Sequence, residues 1–271
     1  MVSMDDVPPF RESERHVGIS AVERYPHGLR YLLAVTDSIS MTDDTHVSCL
    51  NDLSRLDDTH VSCLKLQRCH RMVLVFNIVW WSLKNAHVSH LKSLTHFYKE
   101  PGYDFDFDAL KHLRLEHCPR LEGVMPRGSA LPSLVTLDIL FCYNLKAIFY
   151  RNYLPSSSFE LPCLRRIHLQ ELPLLEHLRD DDAVLAAPAW DLAAPAWEEL
   201  HVRGCWSLRR LPRLIDRRPG KKAVTVSGER AWWTKLRWDD RDDSHCESYE
   251  PRLPPASASI RERVIIKTYL R

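Results

Sequence analysis

The hydrophobic positions of the chain repeat with a spacing that fits neither an α-helix nor a simple strand. Between residues 110 and 121 the apolar residues are Leu110, Leu113, Leu115, Cys118 and Leu121. The central Leu-x-Leu alternates as a short strand does, and the flanking apolar residues belong to turns that pack beneath that strand. The same skeleton returns at Leu134, Leu137, Ile139, Cys142 and Leu145, at Leu164, Ile167, Leu169, Leu172 and Leu175, and at Trp197, Leu200, Val202, Cys205 and Leu208.

This skeleton, L-x-x-L-x-L-x-x-C-x-x-L, is the leucine-rich-repeat pattern. It predicts an α/β solenoid, a leucine-rich-repeat horseshoe with short parallel strands on the concave face and irregular loops or short helices on the convex face. Two earlier units fit the skeleton, starting at Val61 and Leu83. The spacing between unit starts varies, which is expected when the strand side is fixed and the outer side changes in length. Because one unit buries too few apolar side chains to offset its own ordering entropy, stability is expected to be collective.

The pattern divides the chain into three parts. Residues 1–60 are predicted to be an irregular N-terminal segment with a degenerate repeat near Leu29. Residues 61–230 are predicted to hold the leucine-rich repeats, ending in a strand at Val224 and Val226. Residues 231–271 are predicted to be a C-terminal cap, built around Trp232, followed by a polar and basic tail.

Two short duplications need a choice of register. Residues 43–50 recur as residues 57–64, and only the second copy continues the apolar skeleton. The first copy would place Asp52 where Leu66 lies and bury an unpaired carboxylate, so it is predicted to be a loop. Residues 186–190 recur as 193–197, and again the second copy is predicted to be the repeat, because the alternative puts Pro195 in a central strand.

Composition limits the classes of function. The 271 residues are 45% hydrophobic and carry a net charge of +1, so no overall field attracts nucleic acid or an anionic membrane. The N-terminus lacks the apolar core of a secretory signal, and the apolar run at 73–81 is too short to span a bilayer. Half of the eight cysteines occupy one buried repeat position, which is typical of packing rather than disulfides. A cytoplasmic protein is predicted, with the nucleus as the alternative location.

The residues beside the strand leucines are expected to point outward on the concave face. They form a polar, positively biased surface, for which there are two interpretations: an ordinary solvated sheet face, or a protein-binding surface whose cations meet acidic partners. The candidate protein-binding residues are Lys65, His87, His112, Arg114, Glu116, Asp138, Arg166, His168, Glu199, His201 and Arg203.

No catalytic, metal or cofactor site is predicted. Cys69 and Cys118 lie beside histidines, but both are core positions of the repeat. Residues 123–128 have the glycine spacing of a phosphate-binding loop, yet Ser129 and Ala130 replace the lysine and hydroxyl residue that the loop requires. The chain is therefore predicted not to be an enzyme, with no small-molecule substrate, nucleic acid or membrane insertion expected.

Three stretches carry a resemblance to a known family. They are residues 110–122, the Leu-Pro-x-Leu segments at 131–134 and 161–164, and the ending Val224–Trp238. These resemble the C-terminal repeats of plant nucleotide-binding leucine-rich-repeat disease resistance proteins, the ending being similar to grass members. The resemblance covers residues 61–240; the nucleotide-binding domain of such receptors has no counterpart here.

The resemblance implies a role in plant innate immunity. Its repeats would recognise a pathogen effector or a host protein, and in a full receptor they would regulate the nucleotide-binding switch domain. The alternative is a substrate-recruiting leucine-rich-repeat adaptor of a ubiquitin ligase. That function requires a helical module, and residues 1–60 show no helical period.

Overall fold

The principal element is one parallel sheet of ten strands. The structure, a computed structural model, describes residues 13, 15–20, 24–53, 60–77, 80–99, 107–126, 131–150, 160–180, 191–215, 220–238 and 243–254. With all strands numbered in chain order, the sheet contains β1 (His16–Ser20), β2 (Ser38–Thr42), β3 (Cys63–Gln67), β5 (Asn85–Ser89), β7 (His112–Glu116), β9 (Thr136–Leu140), β11 (Arg166–Gln170), β14 (Glu199–Arg203), β16 (Val224–Gly228) and β17 (Tyr249–Arg252). The strands lie side by side in that order, which confirms the predicted solenoid with parallel strands.

The opposite side of the coil carries further short parallel strands. They are β4 (Leu74–Phe76), β6 (His96–Tyr98), β8 (Met125–Pro126), β10 (Ala147–Tyr150), β12 (His177–Arg179), β13 (Asp191–Ala193) and β15 (Arg213–Ile215). They form small sheets of two or three strands. The repeat pattern alone does not predict them; apolar and aromatic residues in runs too short for a helix favour this local geometry.

The core lies between the two strand layers. The row Leu113, Leu137, Ile167 and Leu200 pairs in register across four neighbouring strands, and no member is more than 3% exposed. The repeated cysteine position is buried as predicted, with Cys118 inaccessible to solvent. Apolar residues therefore repeat because each unit buries the same positions against its neighbours.

The sheet extends beyond residues 61–230 at both ends. β1 pairs with β2 and β2 with β3 before this range, and β17 pairs with β16 after it. β1 has a weak sequence signal because its inward side consists only of Val17, which is partly buried, and Ile19. The helices are short: α1 (Leu29–Ala34), α2 (Arg230–Trp233) and α3 (Asp243–Glu247).

The register choices at the duplications are confirmed. Residues 43–49 form a turn after β2, followed by a 3-10 helix at Leu50–Asp52, whereas the second copy leads into β3. Asp52 stays near the surface and accepts hydrogen bonds from Ser48 Oγ and Cys49 N, at 2.8 and 3.1 Å. In the other duplication Trp197 is fully buried and precedes β14. The first copy, residues 186–190, lies outside the described residues.

The predicted final strand and its tryptophan cap are both present. Trp232 in α2 is fully buried, and its Nε1 donates a hydrogen bond to the carbonyl of Leu208 at 2.9 Å. Trp238, His245 and Tyr249 form a further cluster of rings, with the Trp238 and Tyr249 centroids 5.7 Å apart. The last repeat is thus covered by α2, α3 and β17 together.

Candidate protein-binding face

The structure brings the predicted site residues together on the concave face of six neighbouring strands. The middle row consists of Lys65, His87, Arg114, Asp138, His168 and His201, which pair in register from β3 to β14. The remaining predicted residues, His112, Glu116, Arg166, Glu199 and Arg203, lie two positions before or after this row on β7, β11 and β14. Residues that are far apart in sequence therefore stand about one strand spacing apart.

One half of the face is organised around Glu116. Arg114 donates to its carboxylate from Nη2 and Nε, at 3.1 and 3.2 Å. His87 Nε2 and His117 Nε2 lie 3.9 and 3.7 Å from the carboxylate oxygens. His87, Arg114 and His117 together lower the pKa of Glu116 to about 2, although partial burial acts in the opposite direction. Glu116 is thus held as an anion, with Arg114 as its cation and two imidazoles beside it.

The other half is organised around Glu199. Arg166 Nε and His201 Nε2 lie 3.1 and 3.2 Å from the same carboxylate oxygen. Burial raises the pKa of Glu199, but the bonds from His201 and Arg166 outweigh it, and the pKa is lowered overall. The His168 ring meets His201 edge to face at a centroid distance of 5.9 Å. Arg166 and His201 are therefore partners of Glu199 rather than isolated charges.

Asp138 differs from the prediction that it faces solvent. It lies on the concave side, but its exposed fraction is only 2%. The outward residues of β9 are short, and Thr136 and Leu140 beside Asp138 are buried too. Arg114 and Arg166 on the neighbouring strands have side chains long enough to shield them, and Arg114 Nη1 lies 4.0 Å from Asp138 Oδ2. Burial raises the pKa of Asp138 despite Arg114, Arg166, His201 and His87 nearby.

These contacts change the expected electrostatics of the face. Arg114 and Arg166 are neutralised by carboxylates of the same sheet, whereas the sequence predicted that both would meet an acidic partner. Arg203 is exposed and forms no ion pair with another described residue. The centre of the face is a self-neutralised network of alternating charges, and the accessible charged groups lie toward β14.

A proton-linked effect is expected at His168. Burial, followed by the nearby His201, Arg114 and Arg166, lowers its pKa to about 4. In the unfolded chain the imidazole takes up its proton near pH 6.5, so between pH 6.5 and 4 the unfolded state binds more protons than the folded state. The folded state should therefore lose stability as the pH falls through this range.

The prediction is that replacement of His168 by glutamine makes the free energy of unfolding less dependent on pH between 6.5 and 4. Urea titrations at several pH values would measure this slope for the native chain and for His168→Gln. A matched control is His177→Gln, which changes a histidine of the outer strand β12. Equal slopes in the native chain and His168→Gln would contradict the assigned environment of His168.

A second column of residues was missed by reasoning from the sequence. Directly after each of seven successive strands from β2 to β14, the backbone enters the left-handed region, with φ between 52° and 67°. The column consists of Asp43, Arg68, His90, His117, Phe141, Glu171 and Gly204. The sequence does carry a signal for this column: one residue stands between the end of each strand and the buried residue at the repeated cysteine position. The strand pattern makes no statement about it because it lies outside the strand.

Several members of this column contact their neighbours in adjacent repeats. The His90 and His117 rings are stacked with centroids 4.6 Å apart, and His117 and Phe141 are stacked at 4.5 Å with an interplanar angle of 3°. Arg68 and Asp43 form a two-point ion pair with distances of 2.5 and 2.8 Å. The C-terminal ends of the strands are therefore followed by a row of side chains that contact one another along the solenoid.

The described residues contain no group of three or more histidine, cysteine, aspartate or glutamate side chains arranged to hold a metal ion. Within the same part of the chain, no helix has the length and hydrophobicity needed to cross a membrane. The described residues form an ordered polar surface on the sheet and a row of contacting side chains at the C-terminal ends of its strands.

No model of a known protein family matches the sequence, and no solved structure matches the chain. The fold therefore rests on the repeat pattern and on the strand register, and the likeness to immune-receptor repeats stays a prediction.

Proposed function

We propose that the chain is a non-enzymatic leucine-rich-repeat module that binds a protein partner through its concave face. Its proposed setting, implied by the sequence resemblance, is plant innate immunity: recognition of a pathogen or host protein and, in a full receptor, regulation of a nucleotide-binding switch domain. The observation that carries the proposal is the in-register polar face of the ten-stranded sheet. Concave faces of stacked repeats offer extended, rigid surfaces that suit protein partners.

The ion-pair network supports this proposal by holding side chains in place before a partner arrives. Arg114 is tied to Glu116, while Arg166 and His201 share Glu199. Because these side chains are already ordered, binding loses less conformational entropy than it would on a flexible surface. The network also implies selectivity, since a partner must match a pattern of alternating charges.

The test reverses charges of β14 and leaves Arg114, Glu116 and Asp138 unchanged. The double variant Arg203→Glu with Glu199→Lys reverses both signs on this strand. The partner is first captured from plant extract with the native chain, and its affinity is then measured in a quantitative binding assay. The double variant is expected to bind this partner at least about tenfold more weakly than the native chain does. The matched control is Lys235→Glu with Glu247→Lys, which reverses two exposed charges at the C-terminal cap.

Circular dichroism should show the same fold for both double variants, with a lower melting temperature for the β14 variant because Glu199→Lys removes the contacts of Glu199 with Arg166 and His201. If the β14 variant keeps the affinity of the native chain, or if both variants lose it equally, the concave face is not the binding surface.

The alternative function, a ubiquitin-ligase adaptor, has less support. It requires a helical module before the repeats. The described residues of 1–60 instead form β1, the six-residue helix α1, β2 and a 3-10 helix, and both strands belong to the main sheet.

A further inference from the structure

A row of exposed cations lies on the side of the solenoid, along the turns that follow β3, β5, β7 and β9. We call these turns, residues 68–73, 90–95, 117–122 and 141–146, the rim. The rim presents Arg71, Lys92, Arg120 and Lys146, all exposed and without an ion pair to any residue that the structure describes. Glu122 is its one exposed carboxylate. Because the whole chain has a net charge of only +1, the positive charge of the rim is a local feature.

The rim also holds bulky residues in a backbone conformation that disfavours them. His90, His117 and Phe141 have φ values of 58°, 52° and 56°. The left-handed conformation costs a side-chain-bearing residue about 1–2 kcal/mol, and glycine avoids most of this cost. Aromatic stacking returns about 0.5–1.5 kcal/mol per pair, so the two stacked pairs offset only part of the strain of the three residues. Large side chains at strained, solvent-accessible positions point to a use for those side chains.

The geometry of the stack selects the chemistry of a partner. The faces of His117 are covered by His90 on one side and Phe141 on the other, so mainly ring edges are left for a ligand. Ring edges are electropositive, and imidazole N–H groups donate hydrogen bonds. Nucleic-acid bases need open ring faces on which to stack, and a closed stack offers few of them. Carboxylates and backbone carbonyls, by contrast, fit ring edges that lie in the same turns as Lys92 and Arg120.

We propose that the rim is a second interaction surface, which binds an acidic segment of a protein partner. Carboxylates of the segment meet Lys92, Arg120 and Lys146, and its backbone carbonyls accept hydrogen bonds from the exposed ring edge of His90, because His117 Nε2 already faces Glu116. The exposed ring of Tyr143, which is 49% accessible, supplies apolar contact at one end. The rim borders the concave face, because His117 Nε2 lies 3.7 Å from Glu116, but the variants of Lys92 and Arg120 change no residue proposed for that face.

The experiment measures binding of a labelled peptide of alternating glutamate and alanine to the full chain by fluorescence anisotropy. The native chain is expected to bind this peptide, with an affinity that falls as salt is added, and not to bind the matching glutamine–alanine peptide. The double variant Lys92→Glu with Arg120→Glu should lower the affinity by at least about tenfold. The matched control, Lys235→Glu with Arg237→Glu, makes the same change in net charge at exposed positions of the cap and should stay within about twofold of the native chain.

The variant His117→Gly separates binding from stability. It removes the middle ring of the stack and relieves the left-handed strain, so the melting temperature is expected to stay close to that of the native chain while the affinity falls by about threefold or more. A purely structural stack would leave peptide affinity unchanged.

Three results would overturn the proposal: no binding of the acidic peptide by the native chain, equal losses in the rim and control variants, or equal or tighter binding of single-stranded oligothymidylate. The Arg203→Glu and Glu199→Lys variant should still bind the acidic peptide, so failure of one surface can be told apart from failure of the other.

Discussion

Replacement of Trp232 by alanine is expected to lower the free energy of unfolding by about 3–5 kcal/mol, the range observed for large aromatic residues removed from cores. Trp232 is fully buried, and its indole N–H donates to the carbonyl of Leu208. Truncation leaves a cavity over the last repeat and an unpaired carbonyl within it. Because solenoid repeats are stabilised mainly by their neighbours, opening this cap should also expose the strands below it.

Chemical denaturation would measure the loss, with Trp206→Ala as the matched control. Trp206 is 42% exposed, so its removal should cost little. Hydrogen exchange in the Trp232 variant should accelerate first in β16 and β17 and spread toward β14. Equal stability of the two variants would show that Trp232 does not cap the solenoid.

Replacement of Arg114 by leucine is expected to destabilise the chain by about 3 kcal/mol, and a second change, Asp138→Asn, to recover most of that loss. Arg114 is the nearest cation to the buried carboxylate of Asp138 and also binds Glu116. Removing it leaves Asp138 buried with less compensation, which is more costly than replacing both members of the pair. The recovery separates a charge effect from a simple loss of packing.

The same variant should acquire a characteristic dependence on pH. Burial raises the pKa of Asp138 in the folded state, and removal of Arg114 should raise it further. A carboxyl group whose folded pKa lies above its unfolded pKa stabilises the fold only while it is protonated. The variant should therefore lose stability as the pH rises from about 4 toward neutrality, and the second change Asp138→Asn should abolish this slope. A stability unaffected by Arg114→Leu would contradict the ion-pair network.

The buried skeleton was predictable from the sequence because burial and periodicity have the same cause. Leu113, Leu137 and Ile167 recur at one position since each repeat packs the same side chain against the next. The exclusion of Asp52 and Pro195 from strands followed from the unfavourable burial of a carboxylate and the missing donor of proline. Both arguments depend on local chemistry, and the structure agrees with both.

The accessibility of individual side chains was not predictable in the same way. The alternation along β9 correctly places Asp138 on the concave side, but its burial depends on the lengths of Arg114 and Arg166 in other repeats. The pairing of Arg114 with Glu116 likewise depends on side-chain orientation, which the residue types at these positions do not specify. The left-handed column is a backbone property between elements, so a strand pattern does not reveal it.

β1 and β17 show a further limit of the pattern. β1 offers only Val17 and Ile19 at the Leu-x-Leu positions, and β17 contains Pro251 and two charged residues, so the leucine skeleton is weak or absent in both. Among the described residues, each is an edge strand of the sheet and pairs with one neighbouring strand. An edge strand buries less of its surface than a central strand does, so its sequence is less constrained.

The most direct test of the concave-face proposal is chemical labelling of histidines with diethyl pyrocarbonate, in the free chain and with the captured partner bound. His87, His112 and His201 lie on the concave face, whereas His177 lies on the outer strand β12. The proposal predicts that the partner slows labelling of the three concave histidines and leaves His177 unchanged. Protection of His177 with undiminished labelling of His87, His112 and His201 would contradict it.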